Sequence, residues 1–508
     1  MTKTPITQVN AEATRLVAAP EHRAIGNNYT RALLAPIILL EIYLAFTVFM
    51  FFFGPVEWNV PSAAKLLIFL LINYGGLWFG YSWGIRRGRI TLRQSQVGEV
   101  GIVRMPPQLM RLLLWSMLFN IFSTMVRLHA IRGDLGAVLS TFLNPGEAYR
   151  ESQLIAQMDR DGDLGVMGEG ISDFSWVFRI STLLSVFNSL YFPLALICWR
   201  RMSLGYRVIF LISLSCTILF TVGLGAQSGI GILLFSSLPV ALYKLYVIAR
   251  PRKIGRTSTP LVARRRGLTP ARVKILVIAL ICALIATVVF FQVDRTEDSG
   301  QGFDAADALA GPFGSPSERG IVPITGGRMN YGLVMMCMYV SHGYEGLALS
   351  MELPFEWTYG LGWSKALQVI YHDYLGGPDL FERSYLARNE VQNGWPALTW
   401  WSTIFPWLAS DTTYYGTVLF MVLVGFVIGR CWVGVIITGN PIGFAVLAQM
   451  FTLVFMFPAN NALAQSLEGL FSLIGVLTIY VMSWKYFRRG GDRPNRPVAI
   501  SRHGHTEL

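Results

Sequence analysis

The sequence predicts an all-α polytopic membrane protein, and three observations support that fold class. Of the 508 residues, 53% are hydrophobic and only 14% are charged, whereas soluble domains carry about 25% charged residues. The mean hydropathy is +0.47. The apolar residues fall in runs of about 17–25, the length that crosses a hydrocarbon core, and in lipid each run must form a helix to satisfy its backbone groups. These observations exclude an ordinary soluble enzyme.

About ten such runs can be placed along the chain. The first follows the polar, basic residues 1–32 and lacks a convincing small-residue cleavage site, so it is expected to remain as an uncleaved span. The expected spans are 33–53, 64–84, 109–127, 177–199, 208–223, 228–248, 275–293, 413–430, 441–458 and 467–487.

The charge distribution predicts that both termini are cytoplasmic. The chain carries 42 Lys and Arg against 30 Asp and Glu, a net charge of +12. With ten spans and the N-terminus inside, the basic segments at Arg86, Arg200, Arg264 and Arg488 all lie on the cytoplasmic side, as the positive-inside rule requires. The net charge is therefore mostly a topology signal, and no nucleic-acid partner is expected.

This topology divides the chain into two groups of spans and one large outer loop. The expected parts are a cytoplasmic tail (1–32), spans one to seven (33–293) with an outer loop (128–176) and a basic, lipid-touching cytoplasmic loop (249–274), a large outer loop (294–412), spans eight to ten (413–487) and a cytoplasmic tail (488–508). The large loop is too long to lack helices. Its apolar patches at 333–353 and 395–408 are expected to be re-entrant or interfacial helices. If both crossed the membrane, about twelve spans would result.

Several arginines in the outer loops oppose the insertion bias and therefore need a reason. A guanidinium fork binds phosphate or pyrophosphate oxygens, while salt bridges with nearby acids are the ordinary alternative. Arg328 is the first choice, because Gly326 and Gly327 precede it and an apolar helix follows. The other candidate arginines are Arg150, Arg295, Arg319, Arg383 and Arg388.

Three residues could carry acid–base chemistry. His342 and Glu345 share one helical face if 331–353 is helical, and either could accept a proton from an attacking hydroxyl. The alternative for His342 is a hydrogen-bonded packing role. Asp411 could orient a sugar hydroxyl or cap the helix that follows it. No cofactor or metal is expected, because no CxxC pair, Walker lysine or HExxH motif is present.

The segments Tyr339–Leu347 and Phe355–Gly360, followed by Thr403-x-Phe405-x-Trp407-x-Ala409-x-Asp411 before Gly416, resemble the large periplasmic loop of bacterial oligosaccharide repeat-unit polymerases of the Wzy type. The predicted layout, with one dominant outer loop between late spans, is similar too. The resemblance covers the architecture of the whole chain, but its motifs lie only within about 328–416.

The resemblance implies a metal-independent glycosyltransferase of the GT-C type in the bacterial inner membrane, making O-antigen or exopolysaccharide. Its substrate would be an undecaprenyl-pyrophosphate-linked oligosaccharide, and a chain-length regulator and a flippase would be partners. In related O-antigen ligases an Arg and a His of the outer loop stabilise the pyrophosphate and act as base, and the nearest matches here are Arg328 and His342. Tyr344 lies within the resembling segment and is a further candidate for substrate binding.

Two other functions share part of this pattern. An O-antigen ligase uses the same loop logic but transfers finished glycan to a lipid A core. A transporter or flippase should show a polar cavity through its spans, whereas this sequence places its polar density at the outer face. The polymerase is therefore the leading hypothesis.

Overall fold

A computed structural model of the chain covers most of the predicted spans and part of the large outer loop. The described residues are 7–93, 106–132, 175–223, 228–248, 315–316, 328–397 and 400–489. The predicted seventh span (275–293), the basic loop (249–274) and both terminal ends lie outside them.

Helices make up nearly all of the described chain. Ahead of the large loop these are α1 (Thr7–Phe53), α2 (Ala63–Arg93), α3 (Pro107–Arg132), α4 (Ser175–Leu183), α5 (Val186–Cys198), α6 (Leu204–Gly223) and α7 (Ser228–Tyr243). Within the loop lie α8 (Arg328–Ser341), α9 (Gly343–Ser350), α10 (Lys365–Val369) and α11 (Tyr385–Asn393). After it come α12 (Phe405–Thr438), α13 (Ile442–Phe455) and α14 (Leu467–Arg489). Strands β1 (Val56–Glu57) and β2 (Ser315–Pro316) pair antiparallel.

Seven of the described helices contain segments long and apolar enough to cross a membrane: Thr30–Phe53, Ala63–Gly88, Pro107–Leu128, Leu204–Thr221, Gly229–Tyr246, Phe405–Thr438 and Leu467–Trp484. Large apolar side chains lie exposed on these helices, as expected where a surface faces lipid. Examples are Ile42, Leu71, Trp115, Leu419 and Met482. The prediction of an all-α polytopic membrane protein is confirmed at this level.

Two predicted spans differ in form from the expectation. The run 177–199 is divided between α4 and α5 by a turn, at which the Ser185 hydroxyl donates to the carbonyl oxygen of Glu468 at 2.8 Å. The run 441–458 contains only the 14-residue α13, and every residue of α13 is buried. A helix that is apolar on all sides is enclosed by other helices. Helix α13 is therefore surrounded by protein instead of facing lipid.

Helices α2 and α12 run parallel and approach each other backbone to backbone. A Cβ on Gly80 would collide with the carbonyl oxygen of Val422, and a Cβ on Gly84 would collide with that of Phe426. Small residues permit such close approach in membrane helix pairs. They recur at every fourth position of α2, at Gly76, Gly80, Gly84 and Gly88. Because the pair is parallel, both helices begin at the same end of the bundle.

The two apolar patches of the large loop fold differently from each other. The first forms α8 and α9, which meet at His342. The second is irregular in its described N-terminal residues, and its C-terminal part lies in the short first helix of α12, which precedes the break at Thr413. Pro406 occupies the first turn of that short helix, a position that proline favours. Helix α12 breaks at Thr413, where the eighth span was predicted to begin.

Candidate functional site

The helices of the large loop form a compact layer at one end of the bundle, which we call the cap (residues 342–411). The N–H of Asn59, between α1 and α2, donates to Oε1 of Glu345 at 3.1 Å. The N–H of Thr403 donates to the carbonyl oxygen of Ala459, just after α13, at 3.0 Å. The cap therefore lies where α1 and α13 end and where α2 and α12 begin.

His342 joins α8 to α9 and has both ring nitrogens occupied. Nδ1 lies 3.0 Å from the carbonyl oxygen of Met338, and Nε2 accepts the N–H of Trp401 at 3.2 Å. These two contacts assign a neutral ring with its proton on Nδ1. Burial lowers the pKa of His342 to about 4, opposed by the hydrogen bond to Met338. This geometry favours the packing alternative, in which the ring holds the Trp401 segment against α8.

Glu345 keeps one carboxyl oxygen without a partner. The residue is 1% exposed, and Oε2 is buried with no hydrogen bond within the described part of the chain. Burial raises the pKa of Glu345 to about 7, opposed by the N–H of Asn59. A carboxyl group that titrates near neutrality suits a general base. Of the three predicted catalytic residues, Glu345 has the geometry closest to that role.

Replacing Glu345 with glutamine should make the protein progressively more stable than the wild type as the pH rises. A carboxyl whose folded pKa is raised contributes stability below its unfolded pKa, near 4.5, and loses it as the pH rises through about 7. Glutamine has no such loss, so the advantage of the variant should grow to about 3 kcal/mol by pH 8. The depressed pKa of His342 acts in the opposite direction, with stability lost on acidification, and it is common to both proteins.

The measurement is the thermal unfolding temperature of both proteins in lipid nanodiscs between pH 5 and pH 8. Glu352→Gln is the matched control, because that carboxylate is half exposed and paired with Lys65 at 2.9 Å. A constant difference between Glu345→Gln and wild type across the range would show that Glu345 does not titrate there.

Tyr344 connects the cap to the membrane helices. Its hydroxyl lies 2.8 Å from Oγ1 of Thr47 on α1 and 2.9 Å from the hydroxyl of Tyr74 on α2. The residue is fully buried. The Tyr344 hydroxyl is therefore bonded to two membrane helices. It fixes the position of α9, and with it the neighbouring Glu345.

Arg388 on α11 is a buried guanidinium with a spare donor. Nη1 donates to the carbonyl oxygen of Pro354 at 2.8 Å and to Oε1 of Glu356 at 3.3 Å, and Nε donates to the carbonyl oxygen of Arg383 at 3.2 Å. Nη2 is buried and lacks a hydrogen-bond partner among the described residues. The sequence analysis left two alternatives for this arginine, a salt bridge and a phosphate site. Arg388 forms a salt bridge with Glu356 and also keeps an unused donor suited to a phosphate oxygen.

Arg383 lies beside a patch of exposed aromatic rings. Its guanidinium carbon is 5.1 Å from the ring centroid of Tyr359, and its Nε has no partner within the described chain. The rings of Trp357 and Tyr359 are in contact, with centroids 5.1 Å apart. Phe355, Trp357 and Tyr359 are 43%, 51% and 55% exposed. Large exposed apolar patches on proteins mark sites of interaction.

Asp411 anchors the loop that carries this aromatic patch. Its carboxylate accepts hydrogen bonds from Oγ1 of Thr358 at 2.5 Å and from the backbone N–H groups of Gly360 and Trp363, both at 2.8 Å. Hydrogen bonds to a carboxylate are stronger than neutral ones. Asp411 lies two residues before the break in α12 at Thr413. The hydrogen bonds described for its carboxylate all go to the loop that contains Thr358, Gly360 and Trp363.

Backbone strain is concentrated in and next to the cap. Within the described ranges, the non-glycine residues with positive φ are Tyr359 (55°), Thr403 (68°) and Thr413 (61°). This conformation is unfavourable for β-branched residues such as threonine. Strained residues persist only where their surroundings fix them, and they cluster at functional sites.

The remaining predicted arginines fall wholly or partly outside the described part of the chain. Arg328 is the first residue of α8, and its side chain is not among those described. Arg150, Arg295 and Arg319 lie outside the described residues.

The structure also reveals a polar cavity that the sequence analysis missed. It has a volume of about 420 Å³ and lies between α3, α5, α6, α7, α13 and α14. Amide and hydroxyl side chains line it: Asn120, Thr124, Asn188, Ser189, Thr217, Thr221, Gln449, Thr452 and Ser472. Several of them repeat at three- or four-residue spacing within predicted spans, and this polar stripe on one helical face is the signal that could have found the cavity.

The cavity lies towards the cap end of the bundle. An ion pair between Nη1 of Arg127 and Oε2 of Glu468, at 2.6 Å, lies on its lining. The segment 456–466 adjoins both regions, because Ala462, Leu463 and Ser466 line the cavity while the carbonyl oxygen of Ala464 accepts the Ser364 hydroxyl of the cap at 2.9 Å.

Aromatic rings pack between the described helices on the side away from the cap. Phe192 stacks on Phe210 with centroids 6.2 Å apart, and Tyr243 packs edge-on against Phe444 at 5.1 Å. Tyr243, Phe210 and Phe444 are all buried. In the described part of the bundle, packed aromatic rings therefore occupy the side away from the cap.

Neither a search for metal-binding groups nor a comparison with known proteins assigns a function to the described residues. Within the described ranges, no group of three or more His, Cys, Asp or Glu side chains is placed to hold a metal ion. A comparison with known protein families, with characterised proteins and with solved structures finds no match for this chain.

Proposed function

We propose that this protein is a glycosyltransferase that polymerises undecaprenyl-pyrophosphate-linked oligosaccharide repeat units at the periplasmic face of the bacterial inner membrane. The observation that carries the proposal is the pairing of α9 and α11 in the cap. The Asn389 side chain of α11 donates to the carbonyl oxygen of Gly346 on α9 at 3.1 Å. Arg388, with its unused donor, immediately precedes Asn389 in the chain, and Glu345, with its unpartnered oxygen, immediately precedes Gly346.

The reaction needs a base for the acceptor and charge stabilisation for the leaving group. The acceptor sugar hydroxyl forms a bond to the anomeric carbon while the bond from that carbon to the lipid pyrophosphate breaks. Glu345 takes the hydroxyl proton, and the departing pyrophosphate keeps the bonding electron pair. Arg388 and Arg383 stabilise its negative charge without a metal, as preorganised donors do in other transferases. Arg328, Arg319 and Arg150 remain sequence-based candidates for the same task.

The other predicted site residues hold the elements that carry Glu345 and the arginines in position. His342 holds the Trp401 segment, Tyr344 fixes α9, and Asp411 fixes the loop of exposed aromatic rings. Those rings offer flat apolar faces on which a glycan can rest beside Arg383. Holding two lipid-anchored reactants in one orientation at the membrane surface would supply much of the rate.

The distribution of charge supports placing the cap outside the cell membrane. In α1 and α2, Arg31 and Arg86 lie towards the end of the bundle that is far from the cap. The Arg200–Arg201 pair follows the C-terminal end of α5 on that same far side. Basic residues accumulate on the cytoplasmic side of membrane proteins. With the cap in the periplasm, the reaction meets substrates that a flippase has already translocated, and a chain-length regulator would bind there.

A transporter is the second candidate, and the polar cavity is the observation that favours it. A transport path has to continue across the bundle. In the described helices, buried and packed aromatic rings occupy the side away from the cap, and this favours the polymerase.

A strain lacking the gene tests the proposal. We expect single lipid-linked repeats to accumulate and the surface-glycan ladder to disappear, as seen by gel and mass spectrometry of extracted intermediates. Full-length polymer retained on the lipid carrier would instead identify a ligase. Intermediates trapped on the cytoplasmic face would identify a flippase and overturn the catalytic role of the cap.

A further inference from the structure

Besides Nε of Arg127, three buried polar atoms of the cavity, all on uncharged side chains, lack hydrogen-bond partners within the described chain. They are Oδ1 of Asn188, Oε1 of Gln449 and Oγ1 of Thr452. Gln449 and Thr452 are 7% and 3% exposed, and all three residues line the cavity. Leaving such a group unpaired costs about 1–3 kcal/mol. Unpaired atoms gathered around one cavity point to something that binds there and pairs with them.

We propose that this cavity binds a neutral, hydroxyl-rich group, namely a glycosyl unit. Sugar hydroxyls both donate and accept hydrogen bonds, and so do the amides and hydroxyls of the lining. The unpaired amide oxygens of Asn188 and Gln449 are acceptors, which disfavours an anion such as phosphate. A purely apolar ligand would leave all three atoms unpaired.

The charges at the cavity agree with a neutral ligand. Arg127 and Glu468 are the charged residues of the described lining, and they pair with each other at 2.6 Å. Apolar side chains, among them Phe192, Phe220 and Leu233, complete the wall. The volume of about 420 Å³ falls within the range of about 300–1,000 Å³ found for small-molecule sites. Polar groups that fix orientation within apolar walls are the usual composition of such sites.

The inference stands on the cavity alone and goes beyond the proposed function, since it would hold for a polymerase or a transporter. Under the polymerase proposal, segment 456–466 places the cavity next to the cap. A sugar held there would lie on the membrane side of the reacting groups.

The test measures binding of methyl glycosides to the full-length protein in lipid nanodiscs, and saturation-transfer NMR detects the binding. Nanodiscs avoid glycoside detergents, which would compete for the site. The probes are methyl glucoside, methyl galactoside and methyl N-acetylglucosaminide. We expect transfer to at least one probe in the wild type, and a signal at least tenfold weaker in Thr452→Val and in Gln449→Met.

Two control variants distinguish binding in the cavity from binding elsewhere on the protein. Thr478→Val makes the same change on the exposed side of α14, where the hydroxyl is bonded to the Ile474 carbonyl at 2.8 Å, and should keep the full signal. Trp357→Ala, in the aromatic patch of the cap, should also keep it. Because Thr452→Val removes an unpartnered hydroxyl at nearly constant volume, its unfolding temperature should equal or exceed that of the wild type.

Three results would overturn the inference. The first is the absence of transfer to every probe, which would make the cavity a water-filled vestibule only. The second is an equal signal in wild type, Thr452→Val and Gln449→Met. The third is loss of the signal in Trp357→Ala with retention in Thr452→Val, which would place the sugar on the cap.

Discussion

Replacing Gly80 with leucine should reduce folded protein in the membrane to below about a tenth of the wild-type amount. A side chain on Gly80 would collide with the backbone carbonyl of Val422, and a backbone cannot move aside as a flexible side chain can. Helices α2 and α12 would have to separate. Since both helices begin at the cap, their separation would also disturb the floor on which the cap rests. The measurement is size-exclusion chromatography of detergent extracts with a fluorescent fusion.

Gly75 offers a matched control one residue from the tight row of glycines. It lies exposed on α2, and a Cβ there would have no atom within 4 Å. Gly75→Leu should therefore accumulate like the wild type, and Gly80→Ala should show an intermediate loss. Equal accumulation of Gly75→Leu and Gly80→Leu would show that the close α2–α12 contact does not exist in the membrane.

Replacing Arg388 with alanine should lower chain extension by at least about a hundredfold while the protein still reaches the membrane. The expected size follows from the loss of one preorganised donor to a developing negative charge. The truncated side chain can no longer present Nη2 to a pyrophosphate oxygen. The measurement is the length distribution of surface glycan in cells that make the variant in place of the wild type, with membrane abundance determined in parallel.

A second variant separates ligand binding by Arg388 from its structural contacts. Glu356→Gln breaks the ion pair at 3.3 Å but leaves the guanidinium in place. If Arg388 binds pyrophosphate, Glu356→Gln should retain most of the glycan ladder. If the ion pair is all that matters, both variants should lose it equally. A normal ladder from Arg388→Ala would exclude the pyrophosphate role.

The sequence predicted the membrane helices well because hydropathy is a local property. The first three spans and the last one lie within α1, α2, α3 and α14, close to the expected boundaries. The errors have local causes that only packing reveals. The patch 395–408 was expected to be a re-entrant or interfacial helix, yet helix begins only at Phe405, with Pro406 in its first turn. The run 177–199 is as apolar as a span, but it turns at Ser185 to bond with Glu468.

The candidate site was predicted as a set of residues but not as an arrangement. Several of the chosen side chains do converge in the cap, because the segment that contains them folds on itself. Their roles depend on atoms that are distant in sequence. The Nε2 of His342 is taken by Trp401, and the carboxylate of Asp411 is taken by residues 358–363. Of the two predicted catalytic acids, Glu345 alone keeps an oxygen without a partner in the described chain, and nothing in its sequence neighbourhood distinguishes it.

The sequence by itself determined the fold class and the positions of most spans, because each depends on composition over a single segment. The charge pattern likewise predicted the topology. The tertiary structure decided which helix faces meet. It brought Gly80 against the backbone of α12, joined Asn389 of α11 to α9, and gathered the scattered amides of Asn120, Asn188 and Gln449 around one cavity. Such convergence depends on packing between residues that are distant in sequence. The sequence of one segment does not specify which other segment its polar face will contact.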